Sequence, residues 1–190
     1  VADIETVFFG DWKYVTDEAP PKPDSLPGAS GLFVPGEATS TLQVVASGPT
    51  LALMARLDLP LAQGDAAACV VQAEVASHDA AACLTTVRFS GGEMHLVSTQ
   101  ARALGERLRL RVQARDVSLT LARQEGTSIL NILPARVLQL REDGPGQAMV
   151  ALDAGGTALL ARVTQRSAQA LALAPGLQVF AQVKGVALLD

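Results

Sequence analysis

The sequence predicts an all-β chain of two small five-stranded barrels in tandem, with short helices between strands. Three observations predict it. First, one order of elements is written twice in the last 120 or so residues: strand, strand, Gly-Gly turn, strand, connector, strand, strand. Second, the strands alternate with period 2, as half-buried antiparallel strands do. Third, hydrophobic residues make up 49% of the chain but aromatics only 4%, so a core must be built from Val, Leu and Ala. At 190 residues, one or two domains can bury such a core.

The elements follow in chain order. Residues 1–42 read as an extended arm of separate composition. The first 40 hold Phe8, Phe9, Trp12, Tyr14 and Phe33, five of the seven aromatics, and five of the ten prolines. Asp3, Glu5, Asp11, Asp17, Glu18, Asp24 and Glu37 stand against Lys13 and Lys22, giving −5 there and about +1 in the remainder of a chain of net charge −4. The Pro20-Pro21-Lys22-Pro23 run excludes helix, because proline lacks the N–H and restricts its predecessor. Residues 43–68 read as a linker. Thr41 to Ala46 suits a strand ended by a Ser47-Gly48-Pro49 turn, and Thr50 can cap a helix from Leu51 to Leu57 that Asp58 and Pro60 end.

The first half, 69–125, contains Val70 to Val75, Leu84 to Phe89, Glu93 to Val97 after a Ser90-Gly91-Gly92 turn, Leu108 to Val112, and Val117 to Leu119. The second half, 126–190, contains Pro134 to Leu138, Ala148 to Leu152, Thr157 to Leu160 after a Gly155-Gly156 turn, Leu177 to Val183, and Val186 to Leu188. The glycine pairs suit hairpin turns that need φ > 0. Ser167 can cap a short helix, Ala168 to Leu173, ended by Pro175-Gly176. Five strands and a short helix per half match the oligonucleotide/oligosaccharide-binding (OB) type of barrel.

Several functions are excluded. No basic stripe interleaves with aromatics, which argues against nucleic acid. No run of 18 apolar residues or basic-then-apolar leader is present, so neither a membrane-spanning helix nor a secretory signal is expected. Cys69 and Cys83 read as reduced, buried small residues rather than a disulfide. No G-x-x-x-x-G-K-[ST], G-x-S-x-G, H-E-x-x-H or C-x-x-C occurs, so no catalytic residue, resident metal or cofactor is expected. His78-Asp79 reads as a polar turn between strands, and His95 as a solvent-facing strand residue.

One constellation remains. Thr127-Ser128-Ile129-Leu130-Asn131 opens the second half with two hydroxyls and an amide, Ser167 begins the short helix, and Lys184-Gly185 ends a strand. Lys184 is the only lysine in the last 160 residues. Hydroxyls, unpaired backbone amides and one cation are what a small oxyanion requires.

Two sets of segments carry a family resemblance. Thr127-Ser-Ile-Leu-Asn-Ile-Leu-Pro-Ala-Arg-Val137, Leu159-Leu-Ala-Arg-Val-Thr164, Ser167 and Pro175-Gly-Leu-Gln-Val-Phe-Ala-Gln-Val-Lys-Gly-Val-Ala-Leu188 resemble the molybdenum-pterin-binding (Mop, or TOBE) domain. Val45-Ala-Ser-Gly-Pro49, Leu57-Asp-Leu-Pro60, His78-Asp79 and Ala114-Arg-Asp-Val-Ser-Leu119 resemble the C-terminal portion of molybdate ABC-transporter ATP-binding subunits, over roughly 43–190. The resemblance implies tandem Mop barrels that bind molybdate or tungstate through Ser/Thr hydroxyls, backbone amides and a lysine, often at subunit interfaces. On this chain the implied residues are Thr127, Ser128, Ile129, Asn131, Ser167, Lys184 and Gly185. Leu130 stands where the family often has arginine, so no charge contact is implied there.

The expected function is therefore a non-catalytic regulatory oxyanion-binding module of a cytoplasmic transporter subunit, peripheral to the inner membrane. Its expected partners are a second copy of itself, in a homodimer or higher oligomer, and the transporter's membrane subunit. The nucleotide-binding domain of such a subunit is absent from this sequence. The alternatives are a free-standing molybdate storage protein, a dimerisation module with a degenerate site, and an enzyme.

Overall fold

The computed structural model describes residue 57, residue 64 and residues 66–189 in full, and the backbone of residues 5–8, 14–16 and 44–48. Chain contacts divide the molecule into Val1–Leu53 and Met54–Asp190. In the first unit, β1 (Glu5–Phe8), β2 (Tyr14–Thr16) and β3 (Val44–Gly48) form an antiparallel sheet in the order β2-β1-β3. The segment expected to be an extended arm carries the paired strands β1 and β2. One reading changes: β3 runs through the expected Ser47-Gly48 turn because both residues pair with β1. The expected Leu51–Leu57 helix lies outside the described residues except for Leu57.

The second unit is all-β. The first half supplies β4 (Ala68–Asp79), β5 (Leu84–Phe89), β6 (Gly92–Val97), β7 (Arg107–Gln113), a 3-10 turn at Ala114–Asp116 and β8 (Val117–Thr120). The second half supplies β9 (Asn131–Glu142), β10 (Gln147–Ala154), β11 (Thr157–Thr164), helix α1 (Gln165–Ala170), β12 (Gln178–Val183) and β13 (Ala187–Leu189). The helix begins three residues earlier than the sequence suggested. Its N-cap is Thr164, whose hydroxyl accepts the Ser167 N–H, and Ser167 itself lies inside the first turn.

The duplication extends to register. Val75 pairs with Val87 and Ser77 with Thr86, leaving Ala76 as a bulge; Val137 pairs with Leu152 and Gln139 with Ala151, leaving Leu138 as a bulge. Cys69 pairs with Val112 as Asn131 pairs with Val183, and Thr86 with His95 as Ala151 with Leu160. A bulge raises local twist, so one at the same place in each first strand curls both sheets alike. Gly64 and Gly126, five residues before Cys69 and Asn131, have φ of +71° and +65°, a region open to glycine.

The sequence reading ends each half with its own fifth strand, and the topology corrects this. One sheet has the order β13-β7-β4-β5-β6 and the other β8-β12-β9-β10-β11. Each half lends its last strand to its neighbour: Val117 to Thr120 pair with β12, and Ala187 to Leu189 pair with β7. The connectors out of β7 and β12 are short, which directs the chain onto the adjoining sheet. Val71, Val75 and Leu110 from one sheet and Val117, Leu133, Val137, Leu152 and Leu159 from the other join one buried core. The hairpin tips also meet. A Cβ on Gly91 would overlap the Ala154 carbonyl oxygen, one on Gly155 would lie 2.8 Å from the Ser90 carbonyl, and the Ser90 and Thr157 hydroxyls are 2.6 Å apart. These turn glycines therefore serve a close approach, and at Gly155 and Gly156 also positive φ values of 59° and 89°.

His78 and Asp79 lie at the end of β4 rather than in a turn, with His78 Nδ1 2.8 Å from Thr85 Oγ1. Both cysteines are free thiols, Cys69 buried and Cys83 half-buried.

Candidate functional site

The second half opens with a tight turn ahead of β9. Thr127 and Ser128 are exposed, Ile129 is half-buried, and Asn131 is buried. Thr127 Oγ1 accepts the Ile129 N–H at 3.2 Å, a side chain-to-backbone turn that fixes the loop. Leu130 is 58% exposed, so the strand presents an apolar side chain to solvent beside Ser128.

Asn131 has a role the sequence did not reveal. Its Oδ1 accepts the His95 N–H at 2.6 Å and its Nδ2 donates to the His95 carbonyl at 2.9 Å. One side chain thus imitates a neighbouring strand and ties β9 to β6 of the other sheet. Both ends of the amide are engaged, so Asn131 shapes the site from below. His95, expected to face solvent, is half-buried, and its Nδ1 lies 3.0 Å from Thr86 Oγ1.

The cation arrives from β12. Val183 pairs with Asn131, which places the next residue, Lys184, on the strand edge alongside the Thr127–Leu130 turn. The Lys184 side chain is exposed, and its backbone N–H donates to the Asp116 carbonyl at 2.8 Å. The Asp116 carboxylate packs against the following glycine: a Cβ on Gly185 would lie 2.9 Å from Asp116 Oδ2. The first half's connector therefore places an acid beside the second half's lysine. The β9–β12 pairing puts Asn131 opposite Val183, so that the Thr127–Leu130 segment and Lys184–Gly185 leave the same end of the strand pair.

Ser167 is not with them. Asn131 begins β9, whereas Thr164 pairs with Gln147 at the hairpin beyond the other end of β9. Ser167 follows from there, with its hydroxyl 2.8 Å from Thr164 Oγ1. The two ends of one twelve-residue strand separate it from Lys184. Sequence reasoning missed Thr86, His95, Asp116 and Thr164. Of these only Thr164 had a local signal, the Thr-x-x-Ser spacing of an N-cap; the others come from tertiary pairing.

A shallow groove elsewhere, on the outer side of the β4–β7 pair, is lined by Gln72, Arg88, Ser90, Arg107 and Arg109. Arg88 is paired with Glu93 at 2.8 Å and Arg107 with Glu74 at 3.2 Å, so part of its positive charge is already matched. Among the described residues, no cluster of His, Cys, Asp and Glu could hold a metal ion, and no helix is long and apolar enough to cross a membrane.

Comparison with known proteins bears on this same region. Residues 127–189 match the TOBE domain family. The chain is 61% identical over 147 residues to the molybdenum import ATP-binding protein ModC of Albidiferax ferrireducens, covering 77% of this chain and 40% of the relative. It is 51% identical over 147 residues to ModC of Aromatoleum aromaticum, covering 77% of this chain and 39% of the relative. The chain thus spans about two-fifths of the length of these relatives. The cytoplasmic molybdate-binding protein ModG, crystallised with molybdate bound, superposes with a TM-score of 0.57 at 26% identity, over 63% of this chain and 93% of that one.

Proposed function

We propose that this chain, whose residues 127–189 belong to the TOBE domain family, is a non-catalytic module that binds molybdate or tungstate. In this reading it is the regulatory part of a molybdate importer's ATP-binding subunit. It works at the cytoplasmic side of the membrane, against the transporter's membrane subunit. ATP hydrolysis belongs to the part of the relatives that this chain does not span.

The observation that supports the reading is the pairing of Val183 with Asn131, which starts the Thr127–Leu130 segment and Lys184 from the same end of the β9–β12 pair, in a fold shared with a molybdate-bound protein. Lys184 contributes charge, and the Thr127 and Ser128 hydroxyls and neighbouring amides contribute directed hydrogen bonds. No proton or electron moves; the tetrahedral anion exchanges its water shell for these groups. Ser167 cannot join them within one chain. If it contributes, it comes from a second copy, which fits the expected homodimer or higher oligomer.

Calorimetry with molybdate, tungstate, sulfate and phosphate tests the reading. Binding of the two larger anions with little response to sulfate or phosphate is expected. Charge-assisted hydrogen bonds are worth roughly 1.5–3 kcal/mol, so Lys184→Ala weakens molybdate binding by about tenfold to a hundredfold. Ser128→Ala costs about 1 kcal/mol. Unchanged affinity in Lys184→Ala with a lowered Tm would make the lysine structural and place the site elsewhere.

One observation favours a second reading, a dimerisation module with a degenerate site. Leu130 and Val97 are 58% and 79% exposed, and an acid packs on Gly185. No heat with any of the four anions, together with a dimeric mass by light scattering, selects it.

A further inference from the structure

The shared register allows the candidate site to be compared with its counterpart in the first half, residue by residue. By the strand pairings above, Asn131 corresponds to Cys69, Thr86 to Ala151, His95 to Leu160 and Leu84 to Met149. Counting back from Cys69 and Asn131 to the matched glycines, Thr127 and Ser128 correspond to Asp65 and Ala66.

The two faces differ in what fills them. Cys69, Met149, Ala151 and Leu160 form one buried apolar cluster with Ala67, Ala114 and Leu57. Leu57 comes from the segment that leads into the first half, and it is 1% exposed. Arg141 Nη1 donates to the Leu57 carbonyl at 2.9 Å, and the Gly64 N–H donates to Asp143 Oδ1 at 2.9 Å. Asp143 Oδ2 in turn holds Arg162 at 2.6 Å. Burial of the Cys69 thiol pushes its pKa up to about 12. On the second-half face the matching positions are Asn131, Thr86, His95 and Leu84, with Thr127, Ser128 and Lys184 at the rim.

We infer that the two faces have divided their roles, the first-half face being a dry seat that Leu57 fills and the second-half face being the only one that takes an oxyanion, so that a chain holds at most one. An oxyanion at the first-half face would need Leu57 to leave its seat among Cys69, Met149, Ala151 and Leu160. The inference rests on the proposed oxyanion-binding function.

Equilibrium dialysis of the full 190-residue chain against sodium molybdate tests it. The expected capacity is no more than one molybdate per chain, and Lys184→Ala weakens the whole of that capacity with no tight fraction left. Leu57→Ala is expected to lower Tm by several degrees while leaving molybdate capacity and affinity within twofold of the parent. Two molybdates per chain, or a Lys184→Ala protein that keeps half the parent's tight capacity, would overturn the inference alone. A parent chain that takes up no molybdate would overturn it together with the function it rests on.

Discussion

The two halves of the double barrel agree in register and differ in what the register exposes. Cys69 and Asn131 occupy matched positions at the entry to β4 and β9. Cys69 is a buried thiol clustered with Leu57, whereas Asn131 is an amide that bonds the His95 backbone behind the exposed Thr127 and Ser128. A duplicated fold thus offers two equivalent places. Filling one with apolar side chains supports stability, while the other keeps Asn131, Thr86 and His95 at the matching positions. The exchange of β8 and β13 makes this division workable, because neither half folds on its own sheet and both draw on one core.

The most severe test of this comparison is in the core. Met94 and Leu159 are matched positions on β6 and β11, both with no exposed surface. Met94→Ala and Leu159→Ala should each cost about 2–5 kcal/mol, the usual range for a large-to-small change at a buried site. Because the core is continuous, each variant should still unfold in one transition, by calorimetry and circular dichroism alike. Two separated transitions, one per half, would show that strand exchange does not couple them.

The core was legible in the sequence and the exchange was not. Period-2 runs such as Val71, Ala73 and Val75 fix which residues point inward, and the Gly-Gly pairs fix the hairpins. Nothing local distinguishes a fifth strand that returns to its own sheet from one that crosses to the next. Val117–Thr120 and Ala187–Leu189 read the same in either case, and only the short connectors decide. The site divides in the same way. Thr127, Ser128 and Lys184 could be named because their side chains are polar and placed at strand ends. The roles of Asn131 and His95 could not, because they depend on a contact spanning 36 positions in sequence. Ser167 was named as the start of a short helix as well as on resemblance, and within one chain it lies beyond the opposite end of β9.

A second test compares Asn131 with Cys69. Asn131→Ala leaves the His95 N–H and carbonyl without their partner, at a cost of about 2–3 kcal/mol by urea titration. Cys69 should respond to pH instead. Its folded pKa, raised to about 12, lies above the ordinary value of 9.0. The unfolded chain therefore ionises first, so stability is fully present below pH 9 and falls as pH rises from there toward 12. Cys69→Ala should remove that part of the alkaline loss. At pH 8 a thiol reagent should label Cys83, which is half-buried, well before Cys69. Equal labelling rates in the native protein would mean that the first-half face opens readily.

The smallest expected effect concerns Asp116, where the first half's connector meets the Lys184–Gly185 strand end. The connector that ends in Asp116 supports Lys184 through its carbonyl, yet sets its carboxylate against Gly185. A negative charge there opposes a bound anion, and near a solvated surface one such interaction is worth about 0.5–1 kcal/mol. Asp116→Asn keeps the shape and the backbone contact while removing the charge. It should tighten molybdate binding about two- to fivefold at low ionic strength, and the gain should shrink as salt shortens the screening length. Calorimetry at two salt concentrations reads both. If the gain were the same at both, or if Asp116→Asn weakened binding, the carboxylate would be orienting the Lys184–Gly185 backbone rather than opposing the ligand. The first half would then contribute to the site as a support and not as a brake.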